Sequence, residues 1–254
     1  MGWQREISEG LRPIIDLVYP PRCALCGDAI SDQGGLCVAC FDQLKFPGEP
    51  ACTTCQRPMG TNGTAKPAQC HACEHERPSH AGILAATIYN DASRQLVLQF
   101  KHGGKIAPAA LLGRLMASKL DPPSDDPPLL IPVPLHRLRL WERGFNQSAL
   151  LARELQRQKK GELLVDGLVR RKRTPSLGGL GSDERRAVLE GAIDIRGSRA
   201  KRIATRDTIL VDDVLTSGAT SNACIEALLN AGAKSVKVAC FARVLSGPGY
   251  DDQS

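Results

Sequence analysis

Two adjacent carboxylates and a short hydroxyl-rich loop carry the most specific chemistry in this 254-residue chain: Asp212 and Asp213, then Thr216, Ser217, Gly218, Ala219 and Thr220. The small residues at 217–219 let the backbone curl, so that successive N–H groups converge at the start of a helix. A phosphate monoester satisfies those unpaired donors and the helix dipole together. Thr216, Ser217 and Thr220 add hydroxyl donors around the same oxygens. Upstream, Asp212 and Asp213 leave a strand end as acceptors for a pair of hydroxyls. A ribose 5-phosphate carries hydroxyls and phosphate in a matching arrangement. The loop is neither of two commoner phosphate-binding patterns, since the chain has no GxxxxGK[ST] and no GxGxxG after a strand.

Eight of the ten cysteines form a second constellation: Cys23/Cys26, Cys37/Cys40, Cys52/Cys55 and Cys70/Cys73, four Cys-x-x-Cys pairs separated by ten, eleven and fourteen residues. Each pair forms a tight turn with both thiolates aimed at one ion, and two pairs complete the four-thiolate tetrahedron that Zn2+ accepts. Two structural zinc ions are therefore expected. The simplest arrangement is two ribbons in series, 23/26 with 37/40 and 52/55 with 70/73, although an interleaved pairing satisfies the same spacing. An iron–sulfur cluster uses the same ligands but is less favoured, and His71 and His75 are near enough to substitute as ligands. Disulfides would need an oxidising compartment, and the N-terminal stretch mixes acids and bases where an export signal stays apolar. Residues 20–80 hold few large apolar side chains, so metal binding should supply most of the folding free energy there. Cys224 and Cys240 sit in apolar contexts that read as buried thiols.

Periodicity places these groups on elements. Ile7, Leu11, Ile14, Ile15 and Val18 predict an amphipathic helix within residues 1–19. From residue 81 onward the pattern alternates strand and helix: a strand at 83–89, helices at 92–100 and 109–120, and a strand at 129–134. A helix capped by Asn146 runs to about Gln158, and weak strands follow at 163–169 and 192–195. The clearest unit is a strand at 208–211, a helix from about 219 to 231 ended by Gly232, and a strand at 235–241. This is a right-handed βαβ unit of a parallel sheet, whose ligands bind at the carboxyl ends of the strands. Residues 174–186 are glycine-rich and read as a mobile or tightly turned loop.

The formal charge of +6 is uneven: residues 136–206 hold 18 Lys and Arg against 8 Asp and Glu, the remainder 15 against 19. One face of the second domain should therefore attract anions, either a polyphosphate or a nucleic acid. Within that segment Trp141 and Phe145 are the candidates for base stacking. No apolar run approaches a membrane span, and a cytoplasmic location is expected.

The run VDDVLTSGAT resembles the phosphoribosyl pyrophosphate (PRPP) motif of type I phosphoribosyltransferases. The wider pattern is similar to the ComF family of competence-associated proteins. The matching stretches are the four cysteine pairs, FKHGG at 100–104, PVPLHRLRLWERGFNQSALLARELQ at 132–156, Arg173 with Thr174, ERR at 184–186, and ILVDDVLTSGAT at 209–220. The resemblance implies an α/β fold: a parallel-sheet type I phosphoribosyltransferase-like domain at 81–254, preceded by a small double zinc ribbon at 20–80. It implies that Asp212 and Asp213 hold the ribose hydroxyls and that Thr216, Ser217, Gly218, Ala219 and Thr220 hold the 5-phosphate. The loop Pro134–Arg137 would take the pyrophosphate, with Arg137, Arg139 or Arg143 as donors and Mg2+ bridging pyrophosphate and ribose. As an enzyme the chain would displace pyrophosphate from PRPP, with Asp212, Asp213 and Arg137 as the catalytic set and an unassigned acceptor. The alternatives are an accessory factor in DNA uptake, with single-stranded DNA or DNA-processing proteins as partners, and a nucleotide sensor without turnover. Three positions depart from the related patterns. Thr216 stands where hypoxanthine-type enzymes carry an acid, Leu177 where the family has Gln, and Val188 where it has Asn.

Overall fold

The computed structural model describes residues 19–59, 69–102, 108–172, 184, 188 and 191–245. The N-terminal helix, the Gly103–Gly104 break, the Arg173–Thr174 pair and the 174–186 loop apart from Glu184 lie outside them.

The cysteine-rich segment builds one unit twice. Around the first pair of each ribbon the chain folds on itself through a single antiparallel bridge, Arg22 with Ala29 and Ala51 with Pro58. The Cys23 and Cys52 N–H groups donate to the carbonyls of Asp28 and Arg57, each at 2.8 Å. Gly27 and Gln56 fill the same left-handed position in the two turns, at φ 78° and 55°. The second pair of each ribbon opens a short helix. Cys37 is the extended N-cap of α1 (Val38–Phe41), and Cys70 that of α2 (His71–His75).

The remaining elements are β1 (Ile83–Ile88), α3 (Asp91–His102), α4 (Pro108–Ala117), β2 (Leu129–Pro132), α5 (Arg137–Arg143), α6 (Gln147–Arg157), β3 (Glu162–Leu163), β4 (Leu168–Arg170) and β5 (Ile193–Ile195). A 3-10 turn then runs into α7 (Ala200–Ile203), followed by β6 (Asp207–Leu215), α8 (Ala219–Asn230) and β7 (Ser235–Arg243). Five strands form one sheet in the order β1-β7-β6-β2-β3, with every neighbouring pair parallel. β4 and β5 form a separate antiparallel hairpin. Side chains alternate across the sheet, and both faces are covered, as a parallel sheet requires. Leu84, Ala86, Leu130, Ile209, Val211 and Phe241 pack under α3, α4 and α6, and Ile83, Ala85, Ile131, Leu210 and Val238 pack under α8 and the hairpin.

The two ribbons sit on opposite faces at the β1 edge. Leu44 is buried in the first core with Ala24, Leu25 and Leu36 beside it, whereas Cys52, Cys55 and Cys73 belong to the second. Lys45 adds an antiparallel bridge to Ile88, and Arg243 at the end of β7 donates to the Cys55 carbonyl.

Three elements differ from the sequence reading. β6 extends past Val211 through both acids to Leu215, because β7 stays paired with it as far as Arg243. The 163–169 strand is split in two. Asp166, held by Arg199 at 3.0 and 3.1 Å, sits in a turn that takes the chain out of the main sheet after β3 and into the hairpin. The segment after β2 contains α5, none of whose residues is buried; with no apolar face it has no periodicity to betray it.

Candidate functional site

Neighbouring residues of an extended strand point to opposite faces, so Asp212 and Asp213 diverge. Asp213 faces α3, where the Lys101 ammonium lies 3.0 Å from its Oδ2, and it is 7% exposed. Its Oδ1 accepts from the Val214 N–H at 2.7 Å. Asp212 accepts at Oδ1 from Ser148 Oγ of α6 at 3.0 Å and from the Asp213 N–H at 2.9 Å. Burial, and then the neighbouring charge of Asp213, push the Asp212 carboxyl up to about 7. The pair is therefore not the twin of open acceptors that adjacency in sequence suggests. One member is ion-paired, and the other readily takes a proton.

Beyond the strand, Thr216 and Ser217 are exposed and lead to Gly218, a left-handed N-cap at φ 77° with no side-chain cap bond. The first bond across this end runs from the Asn222 N–H to the Gly218 carbonyl at 2.7 Å. The N–H groups of the first turn of α8 are thus left for an outside acceptor, the arrangement an anion fills. A cleft of about 1210 Å3 opens on this loop between α8 and the second ribbon. Thr216, Ser217, Gly218 and Ala219 line it from one side and Arg57, Arg77 and His80 from the other, while neither acid is on its wall.

β2 runs beside β6, with Pro132 opposite Val211, so the chain leaving β2 passes next to the acids. The Val133 N–H bonds to the Val211 carbonyl at 2.9 Å, and the Asn146 amide donates to the Val133 carbonyl at 3.0 Å. Asn146 also caps α6, as its position suggested, by accepting from the Ala149 N–H. Arg137 starts α5 and is exposed; Arg143 ends it and donates to Gln147 Oε1 at 3.4 Å. No contact joins either arginine to the acids. The charge of Arg170, in the β4 hairpin, reaches Asp212; its guanidinium is pushed below its usual range by burial and by Arg139.

Lys101, Ser148 and Arg170 are the site neighbours that pattern reading passed over. Lys101 lies in the FKHGG stretch and Arg170 opens a basic run, but only the tertiary fold brings them to β6. Phe145 packs on the first core beside Phe100, with ring centroids 6.0 Å apart, whereas Trp141 is 85% exposed.

The eight sulfurs gather into two groups, Cys23, Cys26, Cys37, Cys40 and Cys52, Cys55, Cys70, Cys73, with all sulfurs of a group within 4.8 Å of one another. This is the serial arrangement. A zinc–sulfur bond of about 2.3 Å puts tetrahedral sulfurs about 3.8 Å apart. Cys26 and Cys37 are at 3.6 Å and Cys55 and Cys70 at 3.8 Å. Cys52 Sγ also accepts from the Cys55 and Cys70 N–H groups at 3.5 and 3.3 Å, bonds that stabilise a thiolate. Both groups fit structural zinc. His71 and His75 turn toward each other, Nε2 to Nε2 at 2.9 Å. Cys224 and Cys240 are fully buried, and burial pushes both thiols far up.

A double zinc ribbon beside a parallel sheet with a phosphate-type loop defines the class, and family models agree: the double zinc ribbon domain matches residues 14–74 and the phosphoribosyl transferase domain residues 142–254. The chain belongs to the ComF family. It is 30% identical over 228 residues to Competence protein F of Haemophilus influenzae, covering 87% of this chain and 96% of that protein. It is 28% identical to the DNA utilization protein YhgH of Escherichia coli O157:H7, over 83% of this chain and 98% of that one. It is also 28% identical to Competence protein ComFC of Bacillus subtilis, over 83% and 84% of the two chains. Among solved structures, a hypoxanthine phosphoribosyltransferase from Staphylococcus aureus overlaps loosely, at 15% identity and TM-score 0.32, over 56% of this chain and 73% of that one. Among the described residues no helix is long and apolar enough to cross a membrane.

Proposed function

We propose that this protein is an accessory factor in the uptake and use of DNA, and that its phosphoribosyltransferase-like site binds a ribose 5-phosphate ligand such as PRPP with Mg2+. The relatives named for competence and DNA utilization support the first part. The observation that carries it is α5. This helix buries nothing, and it leaves Trp141 85% exposed, one turn after Arg137 on the same side. An exposed indole with a cation one turn away is suited to stacking on an unpaired base while the exposed arginines of α5 neutralise the strand's phosphates.

The loop 216–220 supports the second part, since it presents unfilled helix N–H groups and hydroxyls to a terminal phosphate. Asp212 and Asp213 would take the ribose hydroxyls, and the Pro134–Arg137 segment the pyrophosphate. Transfer of the phosphoribosyl group to an acceptor is the further step this arrangement permits. In it the acids would stabilise positive charge on the ribose, and cations would stabilise the departing pyrophosphate.

The two parts are separable. Fluorescence anisotropy with a labelled single-stranded oligonucleotide should show binding that weakens steeply with salt. Trp141→Ala should weaken it by about tenfold, in line with the loss of one stacked base. No binding at low ionic strength would end the DNA reading. Calorimetry with PRPP and Mg2+ should show binding that is lost in the Asp212→Ala, Asp213→Ala double variant. Unchanged affinity in that variant, folded and zinc-loaded, would remove the acids from the site.

A further inference from the structure

The contact between Lys101 and Asp213 closes off half of the acidic pair, and nothing about a surface salt bridge accounts for it. Lys101 is on the last turn of α3, a helix whose start is fixed by reciprocal bonds: the Asn90 N–H donates to Ser93 Oγ at 2.8 Å, and the Ser93 N–H donates to Asn90 Oδ1 at 3.0 Å. Leu96, Val97 and Phe100 bury its inner face to 3% exposure or less. Phe100, directly before Lys101, is fully enclosed, so the direction in which the lysine leaves the helix is set by the core. The ammonium meets a carboxylate that the strand also fixes, through the Val214 N–H. Both partners are mostly covered, at 23% and 10% side-chain exposure. A pair held this way is screened far less than one on the surface.

We propose that Lys101 is a positioning residue of this acidic pair, orienting and neutralising Asp213 so that Asp212 is the carboxyl left to meet the sugar. The inference rests on the ribose phosphate reading given above and adds a division of labour to it. With Asp213 held by Lys101, Asp212 is the acid met by hydrogen bonds from Ser148 and the Asp213 N–H, with the charge of Arg170 acting on it from β4. Its other neighbours are Cys224 of α8 and Cys240 of β7. Burial pushes both thiols up, Ser148 carries no charge, and Arg139 of α5 acts on Arg170. Lys101 is therefore, with Arg170, one of the cations that set how the pair responds to pH and to ligand. Its field lowers the Asp212 carboxyl, opposing burial and Asp213, which raise it. Removing the lysine must move Asp212 upward and release Asp213 from its fixed orientation.

The test compares Lys101→Met and Lys101→Arg with the wild-type chain, all zinc-loaded. Carboxyl 13C NMR of Asp-labelled protein, assigned with Asp212→Asn and Asp213→Asn, follows each acid without any ligand. Lys101→Met should raise the Asp212 midpoint by about one pH unit, and Lys101→Arg should leave it within about 0.3 unit. In calorimetry at pH 8, Lys101→Met should weaken Mg2+–PRPP about tenfold and Lys101→Arg should restore most of the affinity. A folded Lys101→Met protein whose Asp212 titrates as in wild type overturns the proposal. Shifted titration with no PRPP binding in any of the three proteins overturns the ribose phosphate assignment instead, while bearing out the hold of Lys101 on the pair.

Discussion

Replacing Asp212 with Asn should make the protein more stable, and only above acidic pH. The folded chain raises this carboxyl to about 7, through burial and then the charge of Asp213; in the unfolded chain it returns to about 3.9. The folded state thus binds the proton more tightly. Its contribution to stability is complete below the unfolded value and is lost as pH rises through the folded one. The difference of about three units corresponds to about 4 kcal/mol at most. Asp212 keeps some contact with solvent, so screening reduces the expected loss to about 2 kcal/mol. Asn keeps an oxygen for Ser148 and the Asp213 N–H and carries no charge. Urea denaturation of both proteins at steps from pH 4.5 to 8.5 isolates the effect, because zinc release at low pH affects the two chains alike. Asp212→Asn should gain about 2 kcal/mol on wild type across that range, most of it between pH 5 and 7. A difference flat to within about 0.5 kcal/mol would refute the reasoning.

Metal analysis checks the serial pairing of cysteines. The wild-type chain should hold two zinc ions, Cys26→Ser with Cys40→Ser should lose one, and Cys26→Ser with Cys73→Ser should lose both. Gly218→Ala meets nothing closer than Asn222 Oδ1 at 3.9 Å, so its cost is purely that of the left-handed backbone at φ 77°. Denaturation should show a loss of about 1 kcal/mol, and PRPP calorimetry about tenfold weaker binding as the loop relaxes.

The parts of this fold that were legible in the sequence are those with a covalent or periodic signature. The strand–loop–helix–strand run from 208 to 241 could be placed because β-branched residues alternate on its strands and glycines end its helix. The ribbons could be placed because four Cys-x-x-Cys pairs admit few other uses. What escaped was set by tertiary contact. α5 has no buried face, so no pattern marks it. The split between β3 and β4 depends on Asp166 meeting Arg199, 33 residues away. Lys101 and Asp213 are 112 positions apart, and nothing local to either announces the other.

The placement of the ribbons shows why metal-held modules suit this domain. β1 is an edge strand with one sheet neighbour, and an uncovered edge invites pairing with another chain. The first ribbon covers the α3 side of that edge through Leu44 and caps its end through the Lys45–Ile88 bridge. The second covers the α8 side, with three of its four clustered cysteines inside the sheet's own core. Arg243 joins this second ribbon to the same strand pairing that carries β6 out to Leu215, immediately before the phosphate-type loop. The second ribbon is therefore at once a staple, a wall of the cleft and a support for the strand end from which the loop departs. The first ribbon holds the edge and docks on α4, where Arg114 donates to the Gly34 carbonyl at 2.9 Å. The two sites look alike in sequence because each solves the same folding problem. They differ in consequence because only one of them lies on the face where the loop opens.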